Sequence, residues 1–384
     1  MYSVADYGTL IADPARMGAY ARALEATVRP GSVVVDLGTG TGIMALLACR
    51  LGARRVFAIE PDDAIQVARE IAVLNGYGDR IEFFQDVSTR VTLPEPADIV
   101  VSDLGGIMPW FHLHIPSVAD ARRRYLSPGG LMIPARDEVW ATVVEAPVLY
   151  ARKTEPWENN AFGLDMRPAR DVVLNTWTRG RVAGDALLSS PKVLATLDYR
   201  SLVNPDLETT AAWTIERAGT GHGLLAGFNR TLLDGIQLSN LPDASGAQQS
   251  GAVYETVFFP WAAPVALDTA DTVVAHVTAR LLADDYVWAW KTRVQGRSGG
   301  EKASFSQSTF FGTPLTLKTL GKHRSSHRPR LTDEGRLAQF ILSAIARGCS
   351  VGEIAARLPA EFPEQVTDSR DALRRVTALT AFYD

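Results

Sequence analysis

The fold is decided by the stretch Val33-Val-Val-Asp-Leu-Gly-Thr-Gly-Thr-Gly42. Its three valines predict a short buried strand, because β-branched side chains suit the pleated environment of a sheet. The glycines that follow let the backbone turn sharply and approach a ligand that a Cβ would keep away. The apolar stretch 43–51 then predicts a helix. A strand, a glycine turn and a helix N-terminus together indicate a nucleotide-cofactor site, although the glycines could also form only a tight turn.

Acidic residues around this turn indicate which cofactor it binds. A dinucleotide fingerprint places a pyrophosphate at the helix N-terminus, and Asp36 would repel that group but attract an ammonium. Glu60 follows a second strand, 55–59, where a carboxylate can bridge two ribose hydroxyls. Asp86 follows a third strand, 81–84, and suits an adenine amino group. These partners predict S-adenosylmethionine.

The segment before the first strand contributes a cation to the predicted site. Asp13 and Pro14 predict a helix start, and Arg16 in its first turn is placed to bind the methionine carboxylate of the cofactor. Tyr2 and Tyr7 are candidates for a lid over the pocket. The predicted cofactor-binding residues are Arg16, Asp36, Gly38, Gly40, Thr41, Gly42, Glu60, Pro61, Asp86, Val87 and Ser102.

Composition sets broad limits on the class of protein. The 384 residues suggest two or three domains, and the net charge of −4 shows no general bias towards nucleic acid or membranes. Cys49 and Cys349 are expected to be buried thiols, and no disulfide framework or metal-binding pattern is evident. Because no signal peptide or long apolar span is present, we expect a soluble, cytoplasmic protein.

Residues 31–135 alternate strand and helix patterns, which predicts a parallel sheet of the α/β class. The fourth strand, 97–102, ends at Asp103, and strand C-termini in such sheets face the ligand. The following loop therefore lies beside the reacting methyl group, and it contains two histidines, His112 and His114, among bulky apolar side chains.

The order of these motifs resembles the protein arginine methyltransferase family over residues 1–318. The similar segments are the helix with Arg16, the glycine turn, Glu60, Tyr125-Leu-Ser-Pro-Gly-Gly-Leu-Met-Ile-Pro134 and Trp157-Glu-Asn-Asn-Ala-Phe-Gly-Leu-Asp-Met166. The resemblance implies a Rossmann-like class I methyltransferase domain, 1–135, followed by a β-barrel-like domain, 136–318. It also implies a dimerisation arm over 150–172 and therefore a homodimer.

The sequence differs from the family at the positions that bind the substrate. The family holds the substrate guanidinium between two glutamates after the fourth strand, whereas here the matching positions are Asp103 and a residue near His112. The family's Thr-His-Trp loop is matched by Gly251-Ala-Val253. Because a guanidinium fork needs bidentate anionic partners, arginine is not the expected substrate.

The altered loop instead suggests transfer to an amine. Asp103 would orient the ammonium, and His112 or His114 would accept its proton near neutral pH. Tyr7 would form an aromatic wall with Trp110 and Phe111. The predicted catalytic residues are Asp103, His112 and His114 of this loop, together with Tyr7 from the N-terminal segment. Either histidine could equally be a packing or surface residue, and methylation of a carboxylate competes but would be opposed by the acidic loop.

The C-terminal region has no counterpart in the arginine enzymes. Residues 319–330 form a basic linker, and 331–384 predict three short helices that resemble a winged-helix, PqqD-like leader-recognition domain. These 54 positions contain six arginines against eight acids, a net charge of −2, which disfavours DNA binding. An extra domain that only stabilises the dimer is the remaining alternative.

Together these patterns predict an S-adenosylmethionine-dependent N-methyltransferase, no metal, and an amine on a ribosomally synthesised peptide as substrate. A daptide-type pathway, with a dimethylated C-terminal amine, would suit the pocket. The alternatives are a small-molecule N- or O-methyltransferase of specialised metabolism and a non-catalytic, cofactor-binding regulator with a DNA-binding winged helix.

Overall fold

The computed structural model describes residues 3–242, 253–314, 316–322 and 324–381. The chain forms two compact units, Met1–Pro314 and Leu315–Asp384. No helix in the described part of the chain is both long and apolar enough to cross a bilayer. Tyr2 and residues 251–252, which the sequence placed near the site, lie outside the described residues.

The first half of the larger unit is a parallel sheet with flanking helices. Its five strands run in the order β3-β2-β1-β4-β5, all parallel, and every residue of β1 is buried. The strands are β1 (Val33–Leu37), β2 (Arg55–Ile59), β3 (Ile81–Phe84), β4 (Ala97–Ser102) and β5 (Leu126–Ile133). The helices are α1 (Val4–Ala12), α2 (Pro14–Thr27), α3 (Ile43–Arg50), α4 (Ala64–Leu74) and α5 (His114–Arg124). The predicted α/β class is confirmed.

The second half is rich in antiparallel strands. One sheet has the order β7-β12-β10-β6-β8 with β11 beside β10, and the other has the order β15-β14-β13-β9. The two sheets pack through aromatic side chains, with Trp261 stacked on Phe305 and Phe259 against Trp290. The elements are β6 (Arg136–Val144), α6 (Pro147–Glu158), α7 (Arg167–Val173), β7 (Thr178–Gly180), β8 (Lys192–Asp198), β9 (Leu207–Thr214), β10 (Gly219–Leu233), β11 (Ile236–Ser239), β12 (Thr256–Leu267), β13 (Thr272–Leu282), β14 (Asp285–Gln295) and β15 (Glu301–Ser308).

Three strands of this half carry weak sequence signals. The segments β7 and β11 have only three and four residues, and β15 is mostly polar. Both β7 and β15 are edge strands, each paired with a single neighbouring strand, and polar side chains are common at such positions.

The smaller unit is helical. It contains α8 (Leu317–Lys322), α9 (Asp333–Ile345), α10 (Val351–Glu361) and α11 (Ser369–Thr380). Side chains of Thr332, Ser350 and Asp368 cap the last three helices, which share a core that includes Ile341 and Leu358. The three predicted helices are present, but the described residues of this unit include no strand, so the winged-helix assignment is not confirmed.

Candidate functional site

The glycine turn lies where the parallel sheet reverses its strand order. Strand β1 has β2 on one side and β4 on the other, so the carboxyl ends of these strands open a crevice. Gly38 and Gly40 have φ values of +78° and +53°, in the left-handed region that favours glycine. A Cβ on Gly40 would lie 2.3 Å from the ring of Tyr7. Tyr7 of α1 therefore covers the turn only because the turn lacks side chains.

A cavity of about 710 Å³ opens beside this turn and is lined in part by polar residues. Of the predicted site residues, the structure brings together Tyr7, Arg16, Asp36, Gly38, Thr41, Glu60, Pro61, Asp103, His112 and His114 around the cavity. Five others, Gly40, Gly42, Asp86, Val87 and Ser102, do not line it. The cavity is also lined by Tyr254 and Glu255, two consecutive residues that immediately precede β12. Neither was predicted as a site residue.

Backbone amides of the turn region fix the two carboxylates of the predicted cofactor site. One oxygen of Asp36 accepts hydrogen bonds from the Thr39 hydroxyl at 2.6 Å and the Ala45 amide at 2.9 Å. Burial raises the pKa of Asp36 to about 6, although these bonds oppose the shift. Glu60 accepts from the Gly40 amide at 3.0 Å and the Asp62 amide at 3.1 Å. Burial also raises the pKa of Glu60.

Asp103 is the most heavily hydrogen-bonded acid of the cavity. Arg16 donates from Nε to Oδ2 at 2.7 Å, Tyr254 donates its hydroxyl to the same oxygen at 2.6 Å, and Arg230 donates from Nη1 to Oδ1 at 2.8 Å. Burial works against ionisation, yet the charges of Arg16 and Arg230 keep the pKa of Asp103 below its ordinary value. Asp103 is therefore an anion at neutral pH. Arg16 itself is buried and donates from Nη1 to the Leu10 carbonyl.

Arg230 of β10 connects Asp103 to a second buried acid that sequence reasoning missed. Its Nε and Nη2 donate to the two oxygens of Asp137 of β6 at 2.9 and 3.0 Å. Tyr199 donates its hydroxyl to Asp137 at 2.8 Å and lies 3.1 Å from Nε2 of His114. The sequence did contain a signal for this pair: Asp137 and Arg230 are charged residues within largely apolar strands. A buried charge needs a partner of opposite sign, so the two could have been expected to pair.

The two loop histidines differ sharply in environment. His114 is buried against Tyr199, and burial lowers its pKa to about 4, which makes it a weak base at neutral pH. The side chain of His112 is 58% exposed, with Nδ1 3.8 Å from Asp285. Its backbone has φ +44°, in the left-handed region. The buried environment of His114 therefore does not support its predicted role as proton acceptor near neutral pH, and the role of His112 stays a prediction.

Several other predicted contacts have different partners from those expected. Asp86 accepts from the amide of Val87 and pairs with Arg90 at 3.5 Å. Ser102 is buried beside the cavity, its carbonyl accepts from Tyr20, and its Oγ has no partner among the described residues. Trp110 packs in the core against Trp288 rather than in the aromatic wall, whereas Phe111 lines the cavity.

The residues present fit the predicted cofactor. The buried carboxylates of Asp36 and Glu60 lie at the carboxyl ends of β1 and β2, and the lining of the same cavity includes Arg16 and Asp103. Such a donor and acceptor set suits a molecule with an ammonium, a carboxylate and a ribose.

Comparisons with known proteins agree with this geometry. Residues 20–122 match the model of the family described as ribosomal protein L11 methyltransferase (PrmA). The chain is 28% identical over 209 residues to probable protein arginine N-methyltransferase 6 of Arabidopsis thaliana, covering 53% of this chain and 48% of that protein. It is 30% identical over 200 residues to protein arginine N-methyltransferase 1 of rice, Oryza sativa, covering 51% of each chain. The chain thus spans about half the length of the curated relatives it matches.

Solved structures show the same fold over a longer stretch. Protein arginine methyltransferase 10 of Arabidopsis thaliana aligns with a TM-score of 0.68 and 19% identity, covering 80% of this chain and 97% of that one. The PRMT1 enzyme–prozyme heterotetrameric complex of Trypanosoma brucei with AdoHcy aligns with a TM-score of 0.70 and 18% identity, covering 79% and 96%.

The fold and the site define a class: the chain is a class I S-adenosylmethionine-dependent methyltransferase, and its sequence and fold are similar to those of protein arginine methyltransferases. The predictions of this enzyme class and of its cofactor are confirmed. The prediction that arginine is not the substrate is contradicted, because the relatives are themselves named arginine N-methyltransferases. The peptide-amine assignment, which depended on that exclusion, is corrected with it.

Proposed function

We propose that this protein transfers a methyl group from S-adenosylmethionine to a guanidinium nitrogen of arginine in a protein or peptide. The observation that carries the proposal is the ionised carboxylate of Asp103 at the end of β4, inside the cavity that also contains the cofactor residues. The likeness to arginine N-methyltransferases supports the same substrate class.

Charge in the cavity also favours a cationic substrate. Six carboxylates line it, against the two guanidinium groups of Arg16 and Arg179. Arg16 is already paired with Asp103. Since part of the acidic set is assigned to the cofactor, the remaining acids provide the attraction for the substrate.

The residues that would hold the cofactor follow from the site. We assign Glu60 to the ribose hydroxyls, Asp36 to the ammonium and the remaining Nη2 of Arg16 to the methionine carboxylate. The cofactor would supply a methyl group on a sulfonium. The substrate nitrogen would form the new C–N bond as the C–S bond breaks, which leaves a thioether, and the proton released from that nitrogen would pass to solvent water. The chain's own part is to position and desolvate the guanidinium.

Our further proposals concern the oligomeric state of the protein, its location in the cell and the roles of its domains. We propose that the arm over 150–172 pairs two copies of the chain, because its side chains Phe162 and Leu164 are 83% and 62% exposed. We also propose that the protein is cytoplasmic, that the division at residues 135 and 318 separates functional domains, and that 331–384 binds a peptide or protein partner.

The test is product analysis with the purified full-length chain. S-adenosylmethionine and an arginine-containing peptide are incubated with the protein, and the peptide is analysed by fragment mass spectrometry. We expect methyl groups on arginine and none on a matched peptide in which lysine replaces each arginine. Methylation of lysine alone, or of neither peptide, would contradict the proposal.

A further inference from the structure

The structure leaves open which groups hold the substrate cation, because Asp103 is already engaged. A carboxylate has about four acceptor positions, two on each oxygen. Arg16 and Tyr254 use both positions of Oδ2, and Arg230 uses one position of Oδ1. One position is left. Asp103 can therefore accept a single hydrogen bond from a substrate and cannot bind a guanidinium in the bidentate manner.

The loop after β4 provides no second acid. Position 112 is a histidine, its ring is largely exposed, and it faces Asp285. A second anion must come from another element that lines the same cavity.

Most other acids of the cavity have structural partners. Both oxygens of Glu60 accept backbone amides, and one oxygen of Asp36 accepts two hydrogen bonds. Asp62 accepts from the amide of Ala64 at the start of α4. Asp6 accepts from the amide and the hydroxyl of Ser3 in the capping box of α1. These bonds hold the glycine turn and the adjoining helices in place.

Glu255 differs from these acids. Among the described residues, it is the cavity carboxylate whose oxygens accept no hydrogen bond, and its nearest cation, Nε of Arg181, is 3.7 Å away. The side chain is 37% exposed, so it is half-buried at the cavity wall. It directly follows Tyr254, whose hydroxyl is bonded to Asp103. The backbone carbonyl of Glu255 accepts from the Asn240 side chain, which fixes this part of the chain.

We infer that Glu255 is a substrate-binding residue: it supplies the second carboxylate for the substrate cation, because Arg16, Tyr254 and Arg230 leave Asp103 only one available hydrogen bond. The inference rests on the proposed function for the identity of the cation, a guanidinium. It assigns the specificity for that cation to the segment before β12 rather than to the loop after β4.

The matched variants are Glu255→Gln and Glu138→Gln. Glu138 lies on β6, its side chain is 34% exposed, and it has an arginine, Arg136, at 3.6 Å, so its environment resembles that of Glu255 outside the cavity. With the full-length chain and an arginine-containing peptide, we expect E255Q to raise KM about ten- to one-hundred-fold, since an ionic hydrogen bond becomes a neutral one. Its kcat and S-adenosylmethionine affinity should stay within about twofold, and E138Q should resemble the native chain in every measurement.

A third variant separates charge from shape. Glu255→Asp keeps the carboxylate and should recover part of the lost KM, whereas a purely structural role would make both variants alike. Thermal melting compares the folded fractions of all variants. A KM for E255Q within twofold of native would overturn the inference.

Binding measurements distinguish this inference from the proposed function. If the native chain methylates no arginine, the same peptide is titrated calorimetrically in the presence of S-adenosylhomocysteine. Binding that E255Q weakens and E138Q preserves would overturn arginine methylation but uphold Glu255 as the cation partner. Equal binding by both variants, or no binding by the native chain, would overturn the inference as well.

Discussion

The two halves of the cavity are built differently. The cofactor half uses local contacts: Asp36 and Glu60 follow adjacent strands, and backbone amides of nearby residues hold their carboxylates. The substrate half uses distant ones, since Asp103 is bound by Arg16 of α2, Arg230 of β10 and Tyr254 before β12. The cofactor half of the cavity therefore depends on one supersecondary motif. The substrate half depends on how the parallel sheet and the antiparallel sheets of the larger unit pack together.

This difference separates cofactor binding from substrate choice. A local motif keeps its geometry when the residues of the substrate half change, so methyltransferases with different substrates can share it. A buried ionic network requires every member, because an unpaired buried charge is strongly destabilising. Changes in the substrate half should therefore affect folding and specificity together, whereas changes in the cofactor half should affect affinity alone.

The largest effect is expected for Asp137→Ala. Asp137 is fully buried and accepts both Nε and Nη2 of Arg230, so its loss leaves a buried guanidinium partly unpaired. The free energy of unfolding should fall by about 3–5 kcal/mol, measured by denaturant unfolding. The control is the double variant R230M/D137N, which removes both charges and should recover most of the loss. A double variant as unstable as D137A would mean that packing, and not charge, holds this region.

The sequence predicted the cofactor half because its signals are local. The valines of β1, the spaced glycines and Glu60 can be identified from neighbouring residues alone, and the structure places them around one crevice. The network of Arg230, Asp137 and Tyr199 could not be predicted in the same way. Its members are separated by long stretches of chain, and only the register of β6 beside β10 brings them together. The sequence also could not distinguish His112 from His114, because only the packing of α5 against Tyr199 buries one ring and leaves the other exposed.

A smaller effect, confined to cofactor affinity, is expected for Glu60→Ala. Loss of a carboxylate that receives the ribose hydroxyls should weaken S-adenosylmethionine binding about ten- to one-hundred-fold, as measured by calorimetry. Glu95→Ala is the control, because Glu95 pairs with Arg54 outside the cavity. Unchanged affinity in E60A would contradict the ribose assignment and the independence of the cofactor half.

Cofactor affinity should also depend on pH through Asp36. Burial raises the pKa of Asp36 to about 6, so in the free protein the group is ionised above pH 6 and protonated below it. An ammonium favours the ionised form, and affinity should therefore decrease as the pH falls through 6. We expect about tenfold weaker S-adenosylmethionine binding at pH 5 than at pH 7.5. Asp36→Asn should bind weakly at both values, and an unaltered pH dependence in that variant would assign the effect to another group.

The smallest effect is expected for His112→Asn, which tests whether this part of the substrate half takes part in proton transfer. Asparagine tolerates the left-handed backbone at φ +44°, so the substitution removes the imidazole without straining the loop. Because the ring is largely exposed and faces Asp285 outside the ionic network, kcat for the arginine peptide should stay within about twofold. The pH–rate profile should keep its shape, since Asp103 and Glu255 rather than an imidazole hold the cation. If H112N alone lost the fall in rate at low pH, His112 would be the proton acceptor. The substrate half of the cavity would then include this exposed residue as well as Asp103 and Glu255.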